Sequence, residues 1–181
     1  LRRRDTQLAA EELVAAQTLT TLLVLLHSRP WAALAQGRPP VPINRRALWR
    51  FGLSGDLPMI VVTVSAEHGL RLVRALTQGL LRWSWCGVAC DLVLINAEAE
   101  SYLQPLQREL LALRERHTSQ SRAGDVGGLF LLHQSEMSAE ERTTLALLAR
   151  VRLAADGRAL AEHVSNLIAW HDRARLQRLA E

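Results

Sequence analysis

Lysine is absent from this chain of 181 residues: all 22 basic residues are arginine, set against 18 acids. The sequence isoelectric point near 10.3 therefore overstates the basicity, because the formal net charge is only +4. The one dense basic run is Arg2-Arg3-Arg4, and the other arginines alternate with acids along solvated faces. Such interleaving gives a phosphate backbone no continuous stripe to follow, so no nucleic-acid partner is expected. Aromatics are equally scarce, with five tryptophans, two phenylalanines and one tyrosine, which leaves Leu, Val and Ala to build the core. Two cysteines, Cys86 and Cys90, are too few for a disulfide framework and suit a reducing compartment. The longest uncharged run, Leu13 to Leu26, falls short of the roughly 20 apolar residues of a membrane span and contains Gln17, Thr18, Thr20 and Thr21. It reads as a buried helix. No signal-peptide pattern precedes it, and the chain begins at Leu1 without a methionine, so it is expected to be a piece of something longer.

What is present is the balance of a globular domain, 49% hydrophobic and 22% charged. Asp5 to His27 carries Leu8, Leu13, Leu19, Leu22, Leu23 and Leu26 at spacings that mostly fit a helix with one buried side. Ser28, Arg29 and Pro30 stop it, and Pro30 to Pro42 reads as an extended connector with a short helical turn at Trp31 to Gln36. From Leu57 onward, short β-branched runs alternate with longer amphipathic stretches, the mark of βαβ units. Four strands are expected: Met59 to Val64, Asp91 to Ile95, Gly128 to Leu132 and, weakest, Ala149 to Leu153. Helices are expected over Glu67 to Trp85, Ser101 to Arg116, Ser138 to Leu148 and Arg158 to about Leu179. Ser101 with Gln104, and Ser138 with Glu141, match capping boxes. Thr118 to Gly127 reads as a surface loop. The strands are nearly continuous apolar runs, as when helices cover both faces of a parallel sheet. The fold class is thus α/β, a three-layer αβα sandwich with a mainly parallel four-stranded sheet, preceded by a helical lead-in. The expected division is 1–47 for the lead-in and Pro-rich connector and 48–181 for the α/β domain.

Ligands of such sheets bind beyond the carboxyl ends of the strands, which directs attention to Ser65 to His68, Asn96 to Glu100 and His133 to Glu136. The first of these offers one glycine, Gly69, and no glycine-rich phosphate cradle, so no nucleotide cofactor is expected. Glu98 and Glu100 read as solvent-facing loop acids rather than the opposed pair of a glycosidase. Cys86 and Cys90 have no Cys or His neighbour to complete a metal set and read as buried thiols, and the six scattered histidines read as structural. No catalytic residue is assigned. The most informative segment is Leu48-Trp-Arg-Phe-Gly-Leu-Ser-Gly-Asp-Leu-Pro58, a tightly turned loop in which Trp49 and Phe51 are expected to anchor and Asp56 to accept backbone donors. Tryptophan beside arginine and aspartate is also what a sugar-binding surface uses, the ring stacking on a pyranose while the charges read hydroxyls. Trp49, Arg50 and Asp56 are therefore the candidate carbohydrate-binding residues, with plain packing as the competing reading.

Leu48 to Met59 follows the pattern Leu-Trp-Arg-Tyr-Gly-Ile-Ser-Gly-Asp-Leu-Pro-Ile, with conservative changes at Phe51, Leu53 and Met59. Asp91-Leu-Val-Leu-Ile-Asn96, Ser101-Tyr-Leu-Gln-Pro-Leu-Gln107, Gly127-Gly-Leu-Phe-Leu-Leu132 and Met137-Ser-Ala-Glu-Glu141 follow further stretches of the same pattern in order. In these motifs the chain resembles the cyclic β-1,2-glucan synthase family, large bacterial inner-membrane proteins that join a glycosyltransferase domain to a phosphorylase-like region of glycoside hydrolase family 94. The resemblance implies a parent that makes β-1,2-glucan from UDP-glucose, and within it an accessory α/β module on the cytoplasmic side of the membrane, itself soluble. It supplies no position for the catalytic residues of either activity. The partners it implies are other domains of the parent and, at the Trp49 loop, glucan. The spacer reading predicts apolar patches along the first helix and around Trp31 and Trp49, and the isolated piece is expected to be able to form a homodimer. An independent enzyme acting on a nucleotide or sugar phosphate would instead show a deep pocket at the strand ends.

Overall fold

The computed structural model describes residues 10–25, 43–99, 104–122 and 127–179. Four parallel strands, β1 (Met59–Val64), β2 (Asp91–Asn96), β3 (Leu129–His133) and β4 (Val151–Ala154), lie in the order β3-β2-β1-β4. Six helices accompany them: α1 (Ala10–Leu25), a 3₁₀ helix at Arg45–Phe51, α2 (Leu70–Trp85), α3 (Pro105–Gln120), α4 (Ala139–Leu148) and α5 (Leu160–Leu179), with shorter 3₁₀ turns at Glu67–Gly69 and Gln134–Glu136. The expected α/β sandwich is what forms. The expected connector and its turn at Trp31 lie outside the described residues, as does Ser101.

Handedness explains the layers. Right-handed crossovers from β1 to β2 and from β2 to β3 run in one direction and put α2 and α3 on one face. The step from β3 back across to β4 runs the other way and puts α4 on the opposite face. Side chains alternate across the pleat accordingly. Ile60, Val62 and Val64 join Leu92, Leu94, Val151 and Leu153 beneath α2, α3 and α5, in a core that also takes Ala15, Ala16, Leu19, Leu22 and Leu23 of α1. Met59, Val61, Val93 and Leu132 meet Leu145 of α4 and Ala149 just after it, together with Leu48 and Leu53, on the thinner side. Glu12, largely buried, receives Arg71 Nε at 3.1 Å and fastens α1 to α2.

Two helix starts test the sequence signals. At α4 the expected capping box is complete: Ser138 Oγ accepts from Glu141 N–H, and the Glu141 carboxylate accepts from Ser138 N–H. At α3 the described helix begins at Pro105, preceded by Gln104 in the left-handed region (φ 38°, ψ 57°), and the expected start at Ser101 lies outside the described residues. The open backbone donors there go instead to Glu98, whose two carboxylate oxygens accept Leu106 N–H and Gln107 N–H at 3.1 Å each. A carboxylate against a helix amino end is favourable through both hydrogen bonding and the helix dipole, so Glu98 is a cap rather than a free loop acid.

Between β1 and β4 the strand order reverses, the usual ligand crevice of an open α/β sheet. Here it is shut. Gly69, following β1, has ordinary helical dihedrals, but a Cβ there would drive into the carbonyl of Ala155, following β4. His68 packs on Gly157 beside it.

Candidate functional site

The Leu48–Pro58 loop is pinned by Leu48 and Leu53, both essentially inaccessible, and by Phe51 as expected, but not by the expected Trp49. Phe51 is half-buried against the thinner core, while Trp49 is 60% exposed with Arg46 over its ring. Gly52, at φ 77°, closes the 3₁₀ helix by donating to Trp49 O, a conformation that favours glycine. Asp56 does not accept backbone donors as expected. Its own N–H is taken by Ser54 Oγ, and its carboxylate pairs with Arg45 at 3.1 Å, both side chains being well exposed.

The three candidate carbohydrate residues therefore part company. Trp49 and Asp56 border one shallow groove of about 380 Å³ with Arg45, Gly52, Leu53 and Ser54. Arg50 does not line it. Its guanidinium grips Glu141 through Nε (2.5 Å) and Nη2 (2.9 Å) and donates to Glu136 O at 2.7 Å. That contact and the capping bonds hold the Glu141 carboxyl well down, at about 2. One carboxylate thus caps α4 and anchors the loop.

A larger cavity, about 890 Å³, opens beyond the carboxyl ends of β2 and β3, where sequence reasoning directed attention. Asn96, Ala97, Glu98 and Ala99 form one wall, His133, Gln134, Ser135 and Glu136 the other, with Gln104 and Arg142 at the ends. Asn96 is committed to the scaffold, donating to Gln107 Oε1 and accepting Glu98 N–H, both at 2.8 Å. Gln104 and Arg142 had no sequence signal as site residues; a residue before proline is ordinarily extended, and the left-handed turn at Gln104 was not legible. A second groove of about 430 Å³ over Thr63 and Ile95 shares Gln134 and Arg142 with the cavity.

The thiols divide. Cys90 is buried, its pKa pushed up to about 12 by desolvation with Asp91 adding to it, whereas Cys86 is exposed, contrary to the expectation for both. His163 is buried, with Nε2 3.4 Å from Asp156 Oδ1; burial lowers its pKa against the pull of Asp156. Among the described residues no group of three or more His, Cys, Asp and Glu could hold a metal ion, and no helix is long and apolar enough to cross a membrane.

Fold and site together define an α/β sheet module with a polar cleft at the carboxyl ends of β2 and the edge strand β3. No family model matches the chain. It is similar to the cyclic β-(1,2)-glucan synthase NdvB of Rhizobium meliloti (strain 1021), with 31% identity over 72 residues, 40% of this chain and 2% of that protein. The stretch matched is thus a small fraction of the relative's length.

Proposed function

We propose that the chain is a non-catalytic accessory α/β module of a cyclic β-1,2-glucan synthase-like polypeptide, packing between its carbohydrate-acting domains. The parent makes β-1,2-glucan from UDP-glucose at the cytoplasmic side of a bacterial inner membrane. The 72-residue similarity to NdvB supports the setting. The observation that carries the accessory role is the commitment of the signature loop to architecture: Arg50 is spent on Glu141 and Glu136, and Leu48 and Leu53 are spent on the core. Apolar side chains left in solvent, Val14 at 61% and Trp49 at 60%, are surface that neighbouring domains, or a second copy of the chain, would cover. Division at residues 47 and 48 gives the lead-in and the α/β part of this module.

The test is turnover. The folded chain, incubated with UDP-glucose and with linear β-1,2-glucan in the presence and absence of inorganic phosphate, should consume neither. Release of UDP or of a sugar phosphate would overturn the accessory role.

A second reading makes the chain a glucan-binding module through the Trp49–Asp56 loop, with Trp49 and Asp56 in contact with the sugar and Arg50 holding the loop through Glu141. The exposed indole, which borders one groove with the Arg45–Asp56 pair, favours it. Calorimetric titration with linear β-1,2-glucan decides, since this reading requires the heat to vanish in folded Trp49→Ala and Asp56→Ala variants.

A further inference from the structure

On the face away from α4, a groove of about 590 Å³ runs between α2 and α3. Arg74, Gln78, Leu81, Arg82 and Trp85 of α2 form one wall, and Leu113, Arg116, His117 and Gln120 of α3 the other. Both sets recur at intervals of three and four residues, so each is a single helix face. From Arg74 to Trp85 the groove runs for ~16 Å at a rise of about 1.5 Å per residue, roughly three helical turns.

Floor and rim differ in chemistry. Leu81 and Leu113 are buried at the floor, and Thr77 beside them has its hydroxyl spent on Val73 O at 2.8 Å. The rim is cationic: three arginines line the groove and, among the described residues, no carboxylate does. Arg74 reaches Glu109 outside it at 3.4 Å. Arg116 donates only to Ala112 O, at 3.2 Å, and neither it nor Arg82 pairs with a carboxylate among the described residues. At one end Trp85 stands 53% exposed, with the Arg122 guanidinium 5.5 Å from its ring centroid. Tryptophan and arginine are the side chains on which binding energy at protein interfaces concentrates.

This arrangement selects the occupant. Uncompensated guanidinium groups above an apolar floor complement a segment with carboxylates along its edges and apolar side chains beneath. A helix lying in a groove presents such a stripe turn after turn. A flat lipid surface or a phosphate backbone would meet the rim alone and leave Leu81 and Leu113 uncovered. We infer that the groove between α2 and α3 docks an acidic amphipathic helix of a neighbouring domain, held by Arg82 and Arg116 at the rim, Leu81 and Leu113 at the floor and Trp85 at the end. The inference rests on the accessory reading, which calls for neighbours to pack against, and it names the chemistry of one of them. One helix in one groove is a small interface, so a Kd of about 100 µM is expected for the helix alone.

The experiment titrates the whole chain with a helical peptide as long as α2, 16 residues, that repeats glutamate and leucine at helical spacing. Binding is followed by NMR of the Trp85 indole and the arginine Nε signals. The same peptide with lysine in place of every glutamate, and vesicles of phosphatidylglycerol, serve as comparisons. The glutamate peptide should shift Trp85, Arg82 and Arg116, and the lysine peptide should not bind. Arg82→Glu combined with Arg116→Glu should weaken the glutamate peptide about tenfold or more and admit the lysine peptide instead, an exchange that lost folding cannot produce. Trp85→Ala should weaken binding about fivefold, whereas Trp49→Ala leaves it unchanged. No binding of the glutamate peptide at about ten times the expected Kd, equal binding of the two peptides, or shifts at Trp85 with the vesicles and not the peptide overturns the inference. None of these outcomes bears on turnover, so the accessory role stands or falls by its own assay.

Discussion

Arg50 and Glu141 lie 91 residues apart and meet through two hydrogen bonds, at 2.5 and 2.9 Å, while the same carboxylate caps the helix that carries it. Loop and helix are therefore held by one group. Ser138→Ala, which removes only the reciprocal capping bond, should cost about 1 kcal/mol and lower the melting temperature by about 2–4 °C. Glu141→Ala should cost more than Ser138→Ala in the same thermal melts, because it also releases Arg50. An equal loss in the two would show that the loop contact contributes nothing.

Acid should weaken the fold in two steps. His163 has a lowered pKa and Glu141 is held at about 2, so in both cases the unfolded chain takes up the proton first and stability rises with pH. The His163 contribution is complete above its ordinary 6.5 and is lost as pH falls below that value. The Glu141 contribution is complete above 4.5 and is lost on the way down to about 2. Urea unfolding across this range should show both limbs, with His163→Gln removing the upper and Glu141→Gln reducing the lower, to which Asp156, held down by Arg158, also contributes.

Thiol reactivity should split one to one. In the native chain an alkylating reagent should modify Cys86, which is exposed, and spare Cys90, which is buried with a pKa of about 12. Denaturant should release the second thiol. Mass spectrometry of the peptides reads the order directly, and early labelling of Cys90 would contradict the burial.

Gly69→Ala isolates a steric effect, because this glycine already has dihedrals open to any residue. The added methyl meets the Ala155 carbonyl, a backbone group that cannot swing aside. A loss of about 1–3 kcal/mol is expected from such overpacking. An unchanged unfolding midpoint would mean that the junction between β1 and β4 is looser than described.

The sheet was legible because its strands are short apolar runs separated by helical stretches, and β1 and the α4 capping box were read to the residue. Strand ends elsewhere moved by one or two positions: β4 starts at Val151 rather than Ala149 because Ala149 N–H still belongs to α4, bonding Leu145 O. What failed were long-range partners. Nothing near Glu98 in sequence announces that it caps a helix eight residues on, and Arg50 beside Trp49 looks like a sugar contact until Glu141 is seen opposite it. Spacing reports local geometry, whereas the use to which a charge is put depends on what the fold brings against it. The cleft was half legible: its two walls come from the strand ends singled out in the sequence, but Gln104 enters through a left-handed turn that proline at 105 gave reason to rule out.

Gly69 seated on Ala155 has a mechanical side. The residues joining β1 to α2 and β4 to α5 touch backbone to backbone, so the excursions that carry α2 and α5 leave the sheet from one latch. A neighbouring domain that tugs on α5 would load the central strand directly rather than peel away the edge, and the module would transmit that displacement as a solid block.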